Sequence, residues 1–237
     1  MSETLRLGEI TIEFTRKPVK HVHLSVHPPE GTVRLVAPPG TRTEVARAYA
    51  ISRLAWIRAQ RERFSAQQRE APRRLVSRES HYVWGRRYLL AVTERDGKPE
   101  VRLDHRRLML CVRPGSTHDV RARVMHEWHK SLLHSTLPGL IARWEPKLGV
   151  RVAGYFLQRM KTKWGSCNPR ARNIRLNTEL VKKPKDLLEY VLLHEMAHII
   201  EPTHSEAFIA LLDHHYPSWR EARAELNALP LAVENWS

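Results

Sequence analysis

LLEYVLLHEMAHIIEPTHSEAF, residues 187 to 208, decides how the chain folds and where its chemistry sits. Leu187, Leu188, Val191, Leu192, Leu193, Met196, Ala197, Ile199 and Ile200 leave almost no polar face, which predicts a helix buried on all sides. Two histidines and a glutamate interrupt that pattern. An unpaired imidazole or carboxylate in an apolar interior costs several kcal/mol, a large share of a small domain's stability, so something must compensate. Residues four apart share a helix face, so His194 and His198 project side by side while Glu195 lies about 100° around the axis. This is the HExxH arrangement, in which two imidazoles can grip Zn²⁺ and the glutamate can act as general base toward water.

A third protein ligand has four candidates, Glu201, His204, Glu221 and Glu225. Pro202 biases Glu201 out of the helical region and ends the helix there. Thr203, with Glu206 three residues on, reads as a capping box that sets His204 at the first position of a new helix, from which it can swing beneath the metal. The order His194, His198, His204 matches the ligand spacing of metzincin proteases, although Glu201 stands where they have Gly and no Met follows Met196. His204 is the expected third ligand, with Glu221 and Glu225 as the more distant alternatives.

Outward from this segment, the charge is uneven. The 237 residues carry a formal net charge of +15; residues 1 to 150 hold 28 Lys/Arg against 15 Asp/Glu, and residues 151 to 237 hold 12 against 10. A basic front half points to an acidic partner such as DNA or RNA, or to an Arg-rich solvated surface. Cys111 and Cys167 lie far apart and form no CxxC pair, which argues against a disulfide framework and for a reducing compartment. With no signal-like N-terminus and no apolar run of membrane-spanning length, a cytoplasmic protein without membrane contact is expected.

Val22, Leu24 and Val26, then Val33 and Leu35, alternate as short strands. A capping box from Thr41 to Glu44 opens a helix projected to end near Ala71, and residues 72 to 80 read as a connector. HYVWG, YLLAVT, EVRLD and RLMLCV are further strands, with a turn at Asp96-Gly97. A long helix spans about Thr117 to Trp144, with a break expected near Pro138-Gly139. NIRLN, residues 173 to 177, reads as a strand whose edge could receive an extended peptide. No internal repeat is visible.

Several residues have two readings each. Cys167 could approach the metal or simply pack as a small hydrophobe. Asn177 could bind peptide backbone or satisfy its own loop. Tyr155, Tyr190 and Arg159 could each stabilise an oxyanion. His214 and His215, and the set His21, His23 and His27 on one strand face, read better as exposed polar groups than as second metal sites.

RMKTKWGSCNPRARNIRLNTELVKKPKDLLEYVLLHEMAHIIEPTHSEAF, residues 159 to 208, resembles the YgjP-like metallopeptidase family. The shared pattern is a WGSC loop, a short I-x-L-N strand, a P-x-x-x-L-x-Y-V lead-in, and HExAH followed by a further His. One departure is NPRARNI, where the family commonly has Gly just before the strand. The resemblance implies a zincin-like fold related to SprT-like proteases, with His194, His198 and His204 as zinc ligands and Glu195 as the catalytic residue. The expectation is therefore an α+β fold, with a basic β-rich region over residues 1–115 and a zincin-like region over 116–237. Its function would be zinc-dependent hydrolysis of peptide or protein substrates. The alternatives are a nucleic-acid-associated module with a structural zinc site, or a protease recruited to DNA or RNA by its basic half.

Overall fold

A computed structural model describes residues 2–27, 31–66, 73–160 and 163–229. Its contacts divide the chain into two compact units, residues 1–70 and 71–237. In the first unit, strands β1 (Ser2–Leu7) and β2 (Ile10–Arg16) form a hairpin, followed by β3 (His23–His27) and β4 (Thr32–Ala37). The sheet order is β1-β2-β4-β3, with β2 and β4 parallel and the outer pairs antiparallel. Ile10, Ile12, Phe14, Val33 and Leu35 alternate onto one face, which is why the strands read with period two. Helices α1 (Thr43–Ser52) and α2 (Leu54–Ala66) cover that face through Ala46, Ala50 and Ile57.

Two local expectations differ here. The first hairpin was not among the strands expected, although Ile10, Ile12 and Phe14 carry the alternation. The capping box at Thr41 does not form. The helix starts at Thr43 after Arg42, which makes no side-chain cap bond. Arg16 draws the segment toward the sheet by donating to the Thr41 carbonyl (2.9 Å) and to the Thr43 hydroxyl (2.8 Å). The projected helix end near Ala71 and the first residue of the connector lie outside the described residues.

The second unit begins with β5 (Ser80–Val83), β6 (Arg86–Glu94), β7 (Glu100–Asp104) and β8 (Arg107–Val112), ordered β5-β6-β8-β7. Leu90, Leu108, Leu110 and Val112 pack with Met125 from α3 (His118–Leu148). The Thr117 hydroxyl caps α3 by accepting from the Val120 N–H (3.4 Å). The expected break near Pro138 is absent, and α3 also runs through Pro146. Both prolines lie on the exposed side, where a carbonyl deprived of its N–H partner stays hydrated. Leu133, Leu137, Trp144 and Leu148 are buried on the other side and hold the helix together.

Strands β9 (Gly154–Gln158), β10 (Gly165–Asn168) and β11 (Asn173–Asn177) form a small mixed sheet in the order β10-β11-β9. NIRLN is therefore the central strand, with both hydrogen-bonding edges taken, and not the edge expected from sequence; β10 and β9 are the edges. Arg172, where the family commonly has Gly, takes a left-handed φ of 51° just before β11. The chain closes with a 3₁₀ turn (Thr178–Lys182), α4 (Lys185–Ala197), α5 (Glu206–His215) and α6 (Trp219–Ala228). The α+β expectation holds. No described helix is long and apolar enough to cross a membrane.

Candidate metal centre

Helix α4 is buried over most of its surface, including Leu187, Leu188, Val191, Leu192, Leu193 and Met196. The 3₁₀ turn that leads into it, and Lys185 at its start, are held by the β5–β6 hairpin turn. The Trp84 N–H donates to the Val181 carbonyl (2.7 Å), the Gly85 N–H to the Lys182 carbonyl (3.3 Å), and Lys185 lies over the Trp84 ring. At its other end, the N–H groups of Ile199, Ile200 and Glu201 fold back onto the Met196 and Ala197 carbonyls, which reverses the chain. His204 arrives in this turn, two residues before α5 begins. Ser205 caps α5 by accepting from the Phe208 N–H (3.3 Å), so the expected Thr203 to Glu206 box does not form. Instead the Thr203 N–H and hydroxyl both donate to Glu201 Oε1 (3.2 and 2.8 Å), so the Glu201 side chain is engaged within the turn.

The ligand atoms of His194, His198 and His204 lie within 4.8 Å of one another, the one such group among the described residues. Nε2 of His194 and Nε2 of His204 are 3.1 Å apart. Two nitrogens on a tetrahedral zinc stand about 3.3–3.4 Å apart, given Zn–N bonds of about 2.0–2.1 Å, so a small outward movement admits the ion. Phe208 is the platform: its ring stacks on His198 at 4.5 Å and meets His194 and His204 edge-on at 5.0 and 4.9 Å. His198 Nδ1 donates to the Glu201 carbonyl (3.1 Å), which leaves Nε2 unprotonated and free to bind metal. Nδ1 of His194 is buried without a partner, a cost that ligation through Nε2 would offset. Burial, with the nearby His198, His204 and Arg223 charges, pushes the His194 imidazole down to about 3, so it stays in the neutral form a metal requires. Burial likewise lowers His198, against the opposing hydrogen bond that it donates to the Glu201 carbonyl.

Glu195 sits beside this cluster under β10. Burial pushes its carboxyl up to about 8, opposed by the charge of Lys163. It fits there because residue 165 is glycine. A Cβ on Gly165 would lie 2.6–2.9 Å from the Glu195 side chain, closer than any real contact, and Glu195 is too buried to yield. The two meet in a cleft of about 700 Å³ that is walled by β10 on one side and by α4, α5 and α6 on the others.

The remaining candidates fall elsewhere. Glu221 and Glu225 are exposed on α6 and join no metal-ligating group among the described residues. Asn177, offered for peptide binding, is fully buried. Its amide donates to the carbonyls of Met160 and Lys163 (both 2.9 Å) and accepts from the Glu179 N–H (3.1 Å), so it fastens the loop that leads into β10. Of the three possible oxyanion donors only Tyr190 lines the cleft; Tyr155 is bonded to His134 (3.0 Å). Burial, with the Glu195 charge, pushes the Cys167 thiol up to about 11, which fits a packed residue. Sequence reasoning missed Gly165, Phe208 and Arg223. The WGSC motif signalled Gly165, but nothing local signalled the others.

Three imidazoles converging on one point in an α+β frame, with the buried Glu195 beside them, make a group that could hold a metal ion. The chain belongs to the YgjP-like family: the YgjP-like, metallopeptidase domain matches residues 20–229. It is thus a member of a metallopeptidase family, which acts on peptide bonds and implies a metal ion. Two solved structures are similar over part of the chain. The metallopeptidase zymogen abylysin of Pyrococcus abyssi is 19% identical, with a TM-score of 0.37, covering 41% of this chain and 100% of that one. The metallopeptidase zymogen jannalysin of Methanocaldococcus jannaschii is 22% identical, with a TM-score of 0.34, covering 38% and 91%. A comparison with curated proteins found no match.

Proposed function

We propose that the chain is a zinc-dependent peptidase whose chemistry lies within residues 116–237. His194, His198 and His204 would hold the ion, and Glu195 serves as general base. The observation that carries this reading is the convergence of three imidazole groups beside the carboxyl group of Glu195, which none of them binds. Three ligands leave a tetrahedral ion one open position, the mark of a catalytic rather than a structural site. Zinc there would supply a Lewis acid that polarises the scissile carbonyl and lowers the pKa of a water. The charge of a bound cation would draw the Glu195 carboxyl back down to its ionised form; as carboxylate it takes the proton of the attacking water and passes it to the leaving amine, so the C–N bond is exchanged for C–O with one water consumed. Tyr190, which lines the cleft, would donate to the developing oxyanion. The β10 edge, rather than β11, offers an extended substrate its backbone hydrogen bonds. The two separate free thiols, Cys111 and Cys167, fit a cytoplasmic setting. Nucleic-acid recruitment rests on the charge count alone.

The test pairs two variants. Glu195→Gln keeps about one zinc per chain and its thermal stability but loses peptide hydrolysis by several orders of magnitude, while His204→Ala loses the zinc. Full activity of Glu195→Gln would sink the mechanism, and full zinc in His204→Ala would sink the ligand set.

A further inference from the structure

We propose that the cleft selects peptides bearing a carboxylate on the side walled by α6, with Arg223 as the residue that reads it. The inference rests on the peptidase reading and adds a substrate class to it. Trp219, Arg223, Leu226 and Asn227 are spaced i, i+4, i+7 and i+8, so one face of α6 looks into the cleft. Glu221 and Glu225 lie two residues to either side of Arg223 and fall on other faces. Arg223 forms no ion pair among the described residues, whereas Arg121, Arg143 and Arg220 of the same unit are paired with Glu94, Glu189 and Asp213. It lines the same cleft as Tyr190 and His194.

The lining around it sharpens the point. Lys163 is a second cation on the opposite wall, and among the described residues the one acidic residue lining the cleft is Glu195, which the proposed reaction assigns to the water. A substrate therefore enters a cleft with two positive groups and no anion free to neutralise them. Arg223 is itself exposed and so open to an incoming carboxylate, while Trp219 and Leu226 on the same helix face are buried and hold that face against the core. A planar fork with five donors suits a carboxylate, and two sources can supply one: an Asp or Glu side chain, or the terminal carboxylate of the peptide.

Calorimetric titration of the full-length, zinc-loaded Glu195→Gln chain separates these sources without requiring turnover. One series scans a Glu, against Gln, through an Ala/Phe hexapeptide blocked at both ends. The other compares the Gln hexapeptide as free acid and as carboxamide. With Arg223 present, the carboxylate member of one series binds about 10- to 100-fold more tightly. The ratio falls to about one with Arg223→Gln, is partly kept with Arg223→Lys, and inverts toward Lys-containing peptides with Arg223→Glu. The series that responds names the source. A ratio of about one in both series, or a ratio that Arg223→Gln leaves unchanged, overturns the proposal even if the wild type cleaves peptides. Conversely, an Arg223-dependent ratio in a chain whose wild type cleaves none would sink the peptidase reading and leave the carboxylate site standing.

Discussion

The two four-stranded sheets have the same plan and opposite commitments. Each is a hairpin, then a strand parallel to the hairpin's second member, then an antiparallel edge: β1-β2-β4-β3 in one unit and β5-β6-β8-β7 in the other. Each is followed by helix. The first sheet is covered by its own helices and, among the described residues, shares with them a core of ten buried side chains. The second is covered by the opening turns of α3, whose later turns, from Leu133 to Leu148, belong to the core around α4. The hairpin turns make the same contrast at closer range. A Cβ on Gly8 would meet nothing within 4 Å, whereas one on Gly85 would lie 2.9 Å from the ring of Pro184, the residue that starts the ligand-bearing helix. One topology thus serves as a self-contained module in the first unit and as a bracket for the metal centre in the second.

The largest effect should come from substituting those two turns alike. Gly8 (φ 59°) and Gly85 (φ 76°) both occupy the left-handed region, so alanine costs about 1–2 kcal/mol at either. Gly85→Ala must also displace Pro184, adding about 1–3 kcal/mol of overpacking and shifting α4. Urea unfolding combined with zinc competition against a chelator should show weaker zinc binding for Gly85→Ala alone. Equal stability and zinc loss in the two variants would break the comparison.

A smaller effect follows from pH. His129 on α3 is buried and held well below its ordinary value by desolvation, with Lys182, His81, His126 and Arg159 adding repulsion. His81 on β5 is buried and lowered too, against the opposing hydrogen bond from Glu79. The unfolded chain therefore binds protons that the folded one refuses. This contribution is fully present above about pH 6.5 and is lost as the pH falls, by up to about 1.4 kcal/mol per pH unit for His129. Among its described residues the first unit buries no histidine. Hydrogen exchange between pH 7 and 5 should show protection falling in α3 and β5 while β2 and β4 hold. A parallel decline in both sheets would contradict this. The smallest effect is expected at the exposed Arg34–Glu13 pair of the first sheet (2.7 Å), where Glu13→Gln should change stability by less than about 1 kcal/mol in thermal melts. A larger loss would mean that the first module leans on its surface charges.

Much of the centre was legible because its causes are local. Helical periodicity alone sets His194 and His198 on one face with Glu195 beside them, and Pro202 announces the turn that brings His204 back. Period-two and helical spacing showed that the chain mixes strands and helices, and the resemblance set them in an α+β class. Where reading failed, distant contacts had decided. Pro138 signals a break, yet the buried face of α3 overrides it. Thr41 and Thr203 each begin a plausible capping box, but Arg16 claims the first and Glu201 the second. Strand pairing also lies beyond local pattern, since alternation shows that NIRLN is a strand but not that β9 and β10 occupy both of its edges. The shared plan of the two sheets escaped notice for the same reason, because it resides in pairings rather than in similar residues. Arg223 is 28 residues from Glu195 in sequence and reaches the cleft only because α6 packs on α4. The sequence by itself determined which residues can bind a metal and move a proton, because that depends on side-chain chemistry at fixed helical spacing. Only the tertiary structure decided what stands around them: the glycine that makes room for Glu195, the Phe208 platform and the Arg223 side of the cleft. Those neighbours are set by packing between segments far apart in the chain, whose burial outweighs local preferences of about 1 kcal/mol.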